Sequence, residues 1–141
     1  MQRSDFRCFH RLRVRWAEVD MQKIVFNAHY LMYIDTAMAD YWRALALPYE
    51  ASMLVLGGEM YVKKATVEYH ASARLDDSLD VGLRCARIGN SSCLFQSAIF
   101  SGEQLLVSGR GGHAKNRVQR ALPDVHRHGH GRLLACPGAA L

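Results

Sequence analysis

Between Asn27 and Pro48 the chain carries its clearest helical segment, and the strand-like runs that follow it contain no second helix. Leu31, Ile34, Met38, Tyr41 and Leu45 fall at i, i+3, i+7, i+10 and i+14, one apolar stripe down a helix face. Ala37, Ala39, Ala44 and Ala46 add helix propensity. Asn27 is a good N-cap, because its side-chain oxygen can accept an unpaired amide of the first turn. Pro48 stops the helix by pushing the residue before it out of the α region. On the N-terminal side, Leu12, Val14 and Trp16 alternate with Arg11, Arg13 and Arg15, so His10 to Glu18 reads as a strand. On the C-terminal side, after a loop ending at Gly57-Gly58, come Met60–His70, Leu79–Arg87, Ser92–Phe100 and Gln104–Ser108. Asp76-Asp77, Gly89-Asn90 and Ser101-Gly102 supply the turns between them. Without crossover helices the strands must pair antiparallel. One long helix is left to cover one face of a sheet of about five strands, an α+β fold.

A chain of 141 residues supports one domain, and a 50% hydrophobic content places it well above the disordered class. No apolar run approaches the roughly 18 residues of a membrane span. The opening Met1-Gln2-Arg3-Ser4-Asp5-Phe6-Arg7 lacks the apolar core of a signal peptide, so a cytoplasmic location is expected. Cys8, Cys85, Cys93 and Cys136 show no C-x-x-C spacing and read as reduced thiols. The formal charge of +5 sits entirely in residues 110–141, where six Lys and Arg stand against Asp124 alone. That basicity belongs to a tail and not to a domain face, which argues against nucleic acid as a partner. The tail holds five glycines, two prolines and four of the seven histidines. Gly109-Arg110-Gly111-Gly112 is expected to stop the last strand, giving a domain over residues 1–109 and a poorly ordered extension over 110–141. So abrupt a change is the pattern that a shift of reading frame would leave. The alternating histidines His126, His128 and His130 lie in this glycine-rich segment and are not read as a metal site.

No G-x-S-x-G elbow, phosphate loop, G-x-G-x-x-G fingerprint or H-E-x-x-H pair occurs. The remaining site candidate is the stretch Asp20 to Leu31, in which a carboxylate precedes a helix N-terminus by seven residues. Acyl transfer needs those two parts: a base or nucleophile, and donors aimed at the oxyanion. A thioester suits so spare a kit, because a thiol of pKa about 8.5 leaves without a strong general acid. The spacing alone is equally that of a turn carboxylate followed by a helix cap.

The stretch Val14–Tyr30 resembles the N-terminal signature of the 4-hydroxybenzoyl-CoA thioesterase-like branch of the hotdog-fold acyl-CoA thioesterases. It reads Asp20, then Ile24-Val25-Phe26, then Asn27-Ala28-His29-Tyr30. Val67-Glu68-Tyr69-His70 through Asp76-Asp77-Ser78-Leu79-Asp80-Val81 resembles the family's strand-turn-strand, and the likeness covers about residues 10–109. The resemblance implies a hotdog fold, with the helix wrapped by the sheet, and hydrolysis of an acyl-coenzyme A to free acid and CoA. Two protomers would pair their sheets, as a homodimer or dimer of dimers, with sites at their interface. Asp20 matches the catalytic carboxylate; Asn27, Ala28, His29 and Tyr30 match the helix entry that polarises the carbonyl. No metal or redox cofactor is implied, coenzyme A being part of the substrate. Lys63 and Lys64 are candidates for its phosphates. Asp35, on the helix where a sister group carries its working acid, reads as structural. Two features depart from the pattern: Lys23 stands where the family has glycine, and the last strand's alternation fails after Ser108. A spoiled turn at Lys23 would leave a non-catalytic acyl-CoA or acyl-carrier binding module. A hotdog dehydratase would need a His/acid pair, and none is evident from the sequence.

Overall fold

The computed structural model describes residues 1–46, 60–89 and 92–115. One helix, α1 (Asn27–Ala44), packs on a five-stranded antiparallel sheet, which is the expected hotdog arrangement. The strands are β1 (Cys8–Arg13), β2 (Met60–Tyr69), β3 (Ser78–Ile88), β4 (Ser92–Ser101) and β5 (Gln104–Lys115). They lie in the order β1-β3-β4-β5-β2, so β1 and β2 are the two edges. The core between helix and sheet collects Tyr30, Tyr33 and Ala37 from α1 with Leu79, Val81, Leu83, Ile99 and Val107 from the central strands. A smaller cluster of Phe6, Ala98 and Phe100 covers part of the opposite face.

Five expectations need correction. The first strand ends at Arg13, because the Val14 amide turns away to the Asp77 carbonyl (2.9 Å). Val14 is buried as expected, but Trp16 enters a 3-10 turn (Trp16–Glu18) and is 71% exposed. Asn27 is the first helical residue, and the N-cap is Phe26, whose backbone is extended (ψ 138) and whose side chain makes no cap bond. The Phe26 carbonyl instead accepts the His29 amide at 2.9 Å. The buried helix line is Tyr30, Tyr33 and Ala37, flanked by half-buried Ile34, Met38 and Tyr41, while Leu31 is 45% exposed. The helix rolls this way because both tyrosine hydroxyls find partners inside: Ala73 N–H donates to Tyr30 Oη (2.9 Å), and Tyr33 donates to Glu18 (2.8 Å).

The fourth correction concerns β5, which runs straight through Gly109-Arg110-Gly111-Gly112 to Lys115. It lies between β4 and β2, and both pair with it across those glycines: Ser97 and Val67 face Gly109, Phe95 and Ala65 face Gly111. Two ladders outweigh the low strand propensity of glycine, which is worth about 1 kcal/mol. A strand end at Ser108 therefore does not hold. The helix stops at a left-handed Ala46 (φ 55), whose amide bonds the Arg43 carbonyl (2.9 Å). Pro48, Gly57-Gly58, Asn90 and the tail from residue 116 lie outside the described residues. Cys85 is a free thiol, whereas Cys8 is disulfide-bonded, against the expectation of reduced thiols throughout. No helix among the described residues is long and apolar enough to cross a membrane.

Candidate active site

The polar segment between Val19 and Phe26 folds into a small hairpin. Val19 bridges Val25, the Asp20 amide donates to the Ile24 carbonyl (2.9 Å), and the Lys23 amide donates to the Asp20 carbonyl (2.9 Å). Met21 and Gln22 form the turn and Lys23 follows with φ 60, the left-handed residue that closes a three-residue hairpin loop. Glycine is the usual choice there, which accounts for the family's preference; lysine adopts the same conformation at a cost of about 1–2 kcal/mol. The hairpin is pinned to the segment before β3, with the Val25 amide on the Ala73 carbonyl (3.0 Å) and the Leu75 amide on the Lys23 carbonyl (3.1 Å).

Asp20 sits exposed near the tip, with Oδ1 accepting the amides of Gln22 (2.8 Å) and Ile24 (3.1 Å). Those bonds engage Oδ1 and leave Oδ2 without a hydrogen bond among the described residues. The Phe26 amide bonds the Glu18 carbonyl (3.0 Å), so Asp20 lies two residues, about 7 Å of strand, from the rung that launches α1. Asn27 and Ala28 are exposed at the helix start, where the first amides have no intrahelical acceptor. The positive end of the helix dipole points the same way. Asp20, Asn27, Ala28 and His29 thus belong to one short continuous feature.

The other expected site residues divide. His29 is half-buried, edge-on to Phe26 (centroids 6.3 Å apart), and its Nδ1 is buried with no hydrogen-bond partner among the described residues. Tyr30 does not line the site: it is 2% exposed, and its hydroxyl is turned inward to Ala73. Burial raises that phenol above its ordinary range. Lys63 and Lys64 are exposed on edge strand β2, Lys63 at a bulge between Val62 and Lys64. They stand five and six residues from Tyr69, about 17–20 Å along the strand. Tyr69 donates to the Asn27 carbonyl (3.2 Å) and so marks where β2 meets the helix start; a single chain does not bring the lysines there. Asp35 is an exposed helix residue.

Two acids escaped the sequence reading. Glu18 is buried at 4% exposure beneath the Asp20 hairpin, bonded to Arg15 and Tyr33. Asp40 bridges His10 Nδ1 and Arg43 Nη1, each at 2.6 Å. That His/acid pair lines a cavity of about 280 Å³ between β1 and the C-terminal half of α1, at the far end of the helix from Asp20. Neither pairing leaves a periodic signal, since each depends on which strand or turn lies under the helix. No trio of His, Cys, Asp or Glu able to hold a metal ion occurs among the described residues.

The family model described as the thioesterase superfamily matches residues 22–108. The chain is 29% identical to the acyl-CoA thioester hydrolase YbgC of Escherichia coli over 97 residues, 69% of this chain and 72% of that one. A probable thioesterase from Bartonella henselae superposes with a TM-score of 0.73 at 21% identity, covering 82% of this chain and 98% of that one. A Thermus thermophilus thioesterase solved with coenzyme A and Zn superposes at 0.69 and 24% identity, covering 84% and 88%.

Proposed function

The chain belongs to the thioesterase superfamily, and on that premise we propose that it hydrolyses the thioester of an acyl-coenzyme A to the free acid and CoA. The observation that carries this reading is Asp20 itself: a carboxylate with one oxygen clamped by two amides and the other open, poised beside an open helix N-terminus. The relative named as an acyl-CoA thioester hydrolase supports the substrate class. In this reading Asp20 draws the proton from an attacking water or attacks the thioester carbonyl itself. The first amides of α1, at Asn27 and Ala28, receive the oxyanion that forms, while the His29 amide, held by the Phe26 carbonyl, fixes the helix start beside them. The thiolate leaves without a strong general acid, and no metal or redox cofactor enters the scheme. Coenzyme A participates only as part of the substrate, with Lys63 and Lys64 as ligands for its phosphates. The Lys23 objection to catalysis loses its footing, because the hairpin closes with its hydrogen bonds intact around that residue.

A second copy of the chain completes the proposed site. Edge strand β2 shows Tyr61, Val62 and Tyr69 about half exposed, and the helix shows Leu31 and Met32 beside Phe26, an unusual apolar share for a free surface. Pairing β2 antiparallel with its copy covers that surface and carries each protomer's lysines toward the other's helix start. Light scattering at micromolar concentration should therefore give at least twice the 15.9 kDa of one chain. A stable monomer would remove the shared site. The cytoplasm is the compartment proposed, where acyl-CoA is available.

The function is tested by assaying thioester cleavage over short, medium and aromatic acyl-CoAs with the native chain and with Asp20→Asn. The variant keeps the shape and both amide bonds to Oδ1 but removes the charge. Its kcat should fall on the order of 10²–10⁴-fold, the range for losing a general base. More than half the native activity in Asp20→Asn would transfer the role to another acid, with Asp35 the first to test.

A further inference from the structure

Glu18 is one of two acids buried among the described residues, and the other, Asp80, lies on the far face of the sheet. Its carboxylate is bonded on both oxygens. Oε1 accepts the Arg15 guanidinium through Nε (2.8 Å) and Nη2, while Oε2 accepts the Arg15 backbone amide (2.8 Å) and the Tyr33 hydroxyl (2.8 Å). Its main chain is engaged as well: the Glu18 amide donates to the Arg15 carbonyl (3.0 Å), and its carbonyl accepts the Phe26 amide (3.0 Å). Tyr33 is 5% exposed on the inner face of α1, so the carboxylate reaches the helix from below while the carbonyl grips the residue before it. Asp20 follows two residues later on the same strand of the hairpin.

An ion pair of this kind, a buried Glu18 carboxylate against an Arg15 side chain that is 76% exposed, is weak evidence for stability. What it supplies is a fixed geometry, because a charge-assisted fork tolerates little displacement. Burial pushes the Glu18 carboxyl upward, but the Arg15 and Tyr33 bonds outweigh it and hold the group ionised below its ordinary range. A group so held is a poor proton carrier, and none of its oxygens faces solvent.

We infer that Glu18 is a positioning residue for the hydrolytic site, setting the distance between the Asp20 carboxylate and the amides that open α1. Through one residue the hairpin is bolted to the helix twice, and the two halves of the site cannot drift apart without breaking a buried bond. The inference rests on the proposed thioesterase reading for its chemical consequence, though its structural content stands without it.

The test uses Glu18→Gln, which keeps the length and the Tyr33 contact but removes the charge Arg15 needs, and Tyr33→Phe, which cuts the tie from the helix side. In an acyl-CoA assay the Gln variant should lose kcat on the order of 10–100-fold, as small misplacements of reacting groups do, with KM changed less than about threefold. The acid limb of its pH profile should stay where Asp20 sets it, whereas a Glu18 acting as the base itself would take that limb away. Glu18→Asp, one methylene too short to reach Arg15 and Tyr33 together, should not restore the rate. Tyr33→Phe should lower kcat in the same sense, and its loss should not add to that of Glu18→Gln. Amide hydrogen exchange at Gln22, Ile24 and Phe26, read without any substrate, should quicken in both variants while the central strands stay protected. Unchanged exchange at those three amides, or a Glu18→Gln kcat within twofold of native, overturns the inference. A native chain that cleaves no acyl-CoA overturns the thioesterase reading instead, and the exchange measurement then decides alone whether Glu18 holds the hairpin to the helix.

Discussion

Lys23 shows how much local discomfort the site hairpin absorbs. Its φ of 60 places a side-chain-bearing residue where glycine is at ease, yet the bonds on either side, Lys23 to Asp20 and Leu75 to Lys23, are made at 2.9 and 3.1 Å. Left-handed backbone costs such a residue about 1–2 kcal/mol, and glycine gives back about half of that through its greater freedom when unfolded. Lys23→Gly should accordingly stabilise the protein by about 0.5–1 kcal/mol, read as a higher urea midpoint at constant slope, with thioester cleavage retained. A destabilised variant would mean that the lysine makes compensating contacts of its own. Asp20 stood out as a candidate in the sequence through its family likeness. Glu18, two residues away, was not, because nothing in a run of Arg, Trp, Ala and Glu says that the acid turns inward to a tyrosine on the next element.

At the scale of elements the glycines of the sheet act through what lies against them. A Cβ built on Gly82 of β3 would come within 2.7 Å of Phe6 Cγ and 3.0 Å of Phe6 Cβ. Phe6 cannot retreat, since it is buried edge-on against Phe9 and Phe100 with ring centroids 6.3 and 6.0 Å away. Gly82→Ala should therefore destabilise by about 1–3 kcal/mol through overpacking, measured by urea unfolding, with the slope unchanged. Gly109 of β5 is hemmed in similarly, a Cβ there meeting Ser97 Oγ at 2.5 Å under the helix. The glycine run that reads as the end of a strand is thus part of a central one, closely packed at Gly109 and in ordinary contact at Gly111 and Gly112. Propensity describes a residue against average surroundings, and the surroundings here are two hydrogen-bonded neighbours and a helix.

For the molecule as a whole, its paired carboxylates and one half-buried histidine set how it should respond to acid. On the far face of the sheet, the Arg11 bond lowers the Asp80 carboxyl against the opposing effect of burial, with Arg3 adding to it. At the helix, burial raises Asp40 but His10 and Arg43 bring it below its ordinary range, and Glu18 is lowered by Arg15 and Tyr33 as described. Each of these binds its proton less readily folded than unfolded. Their contribution is full above the unfolded carboxylate range, about pH 4, and is lost as pH falls through the lower folded values. His113 is depressed by burial, with the Gly111 carbonyl and Asp35 opposing. Its contribution is full above about pH 6.5 and declines as pH falls below that. Urea midpoints measured from pH 8 to pH 3 should fall in two stages, a small one below about pH 6.5 and a larger one below about pH 4. His113→Gln should erase the first stage; a midpoint that stays level down to pH 4 in the native chain would contradict the assignment.

The apolar periodicity, the turn residues and the missing crossover helices were enough for one helix on one antiparallel sheet, because those signals are local and repeat along the chain. The Asp20 to Tyr30 signature was enough for the superfamily, because its parts are adjacent in sequence. Which helix face is buried, how far β5 runs and where Glu18 points were left to the packed molecule. Tyr30 and Tyr33 face inward because Ala73 and Glu18 wait there with partners for their hydroxyls, and β5 continues past Ser108 because β2 and β4 flank it. Each of these outcomes is a bond between residues far apart in sequence, and such a bond leaves no pattern in either segment alone.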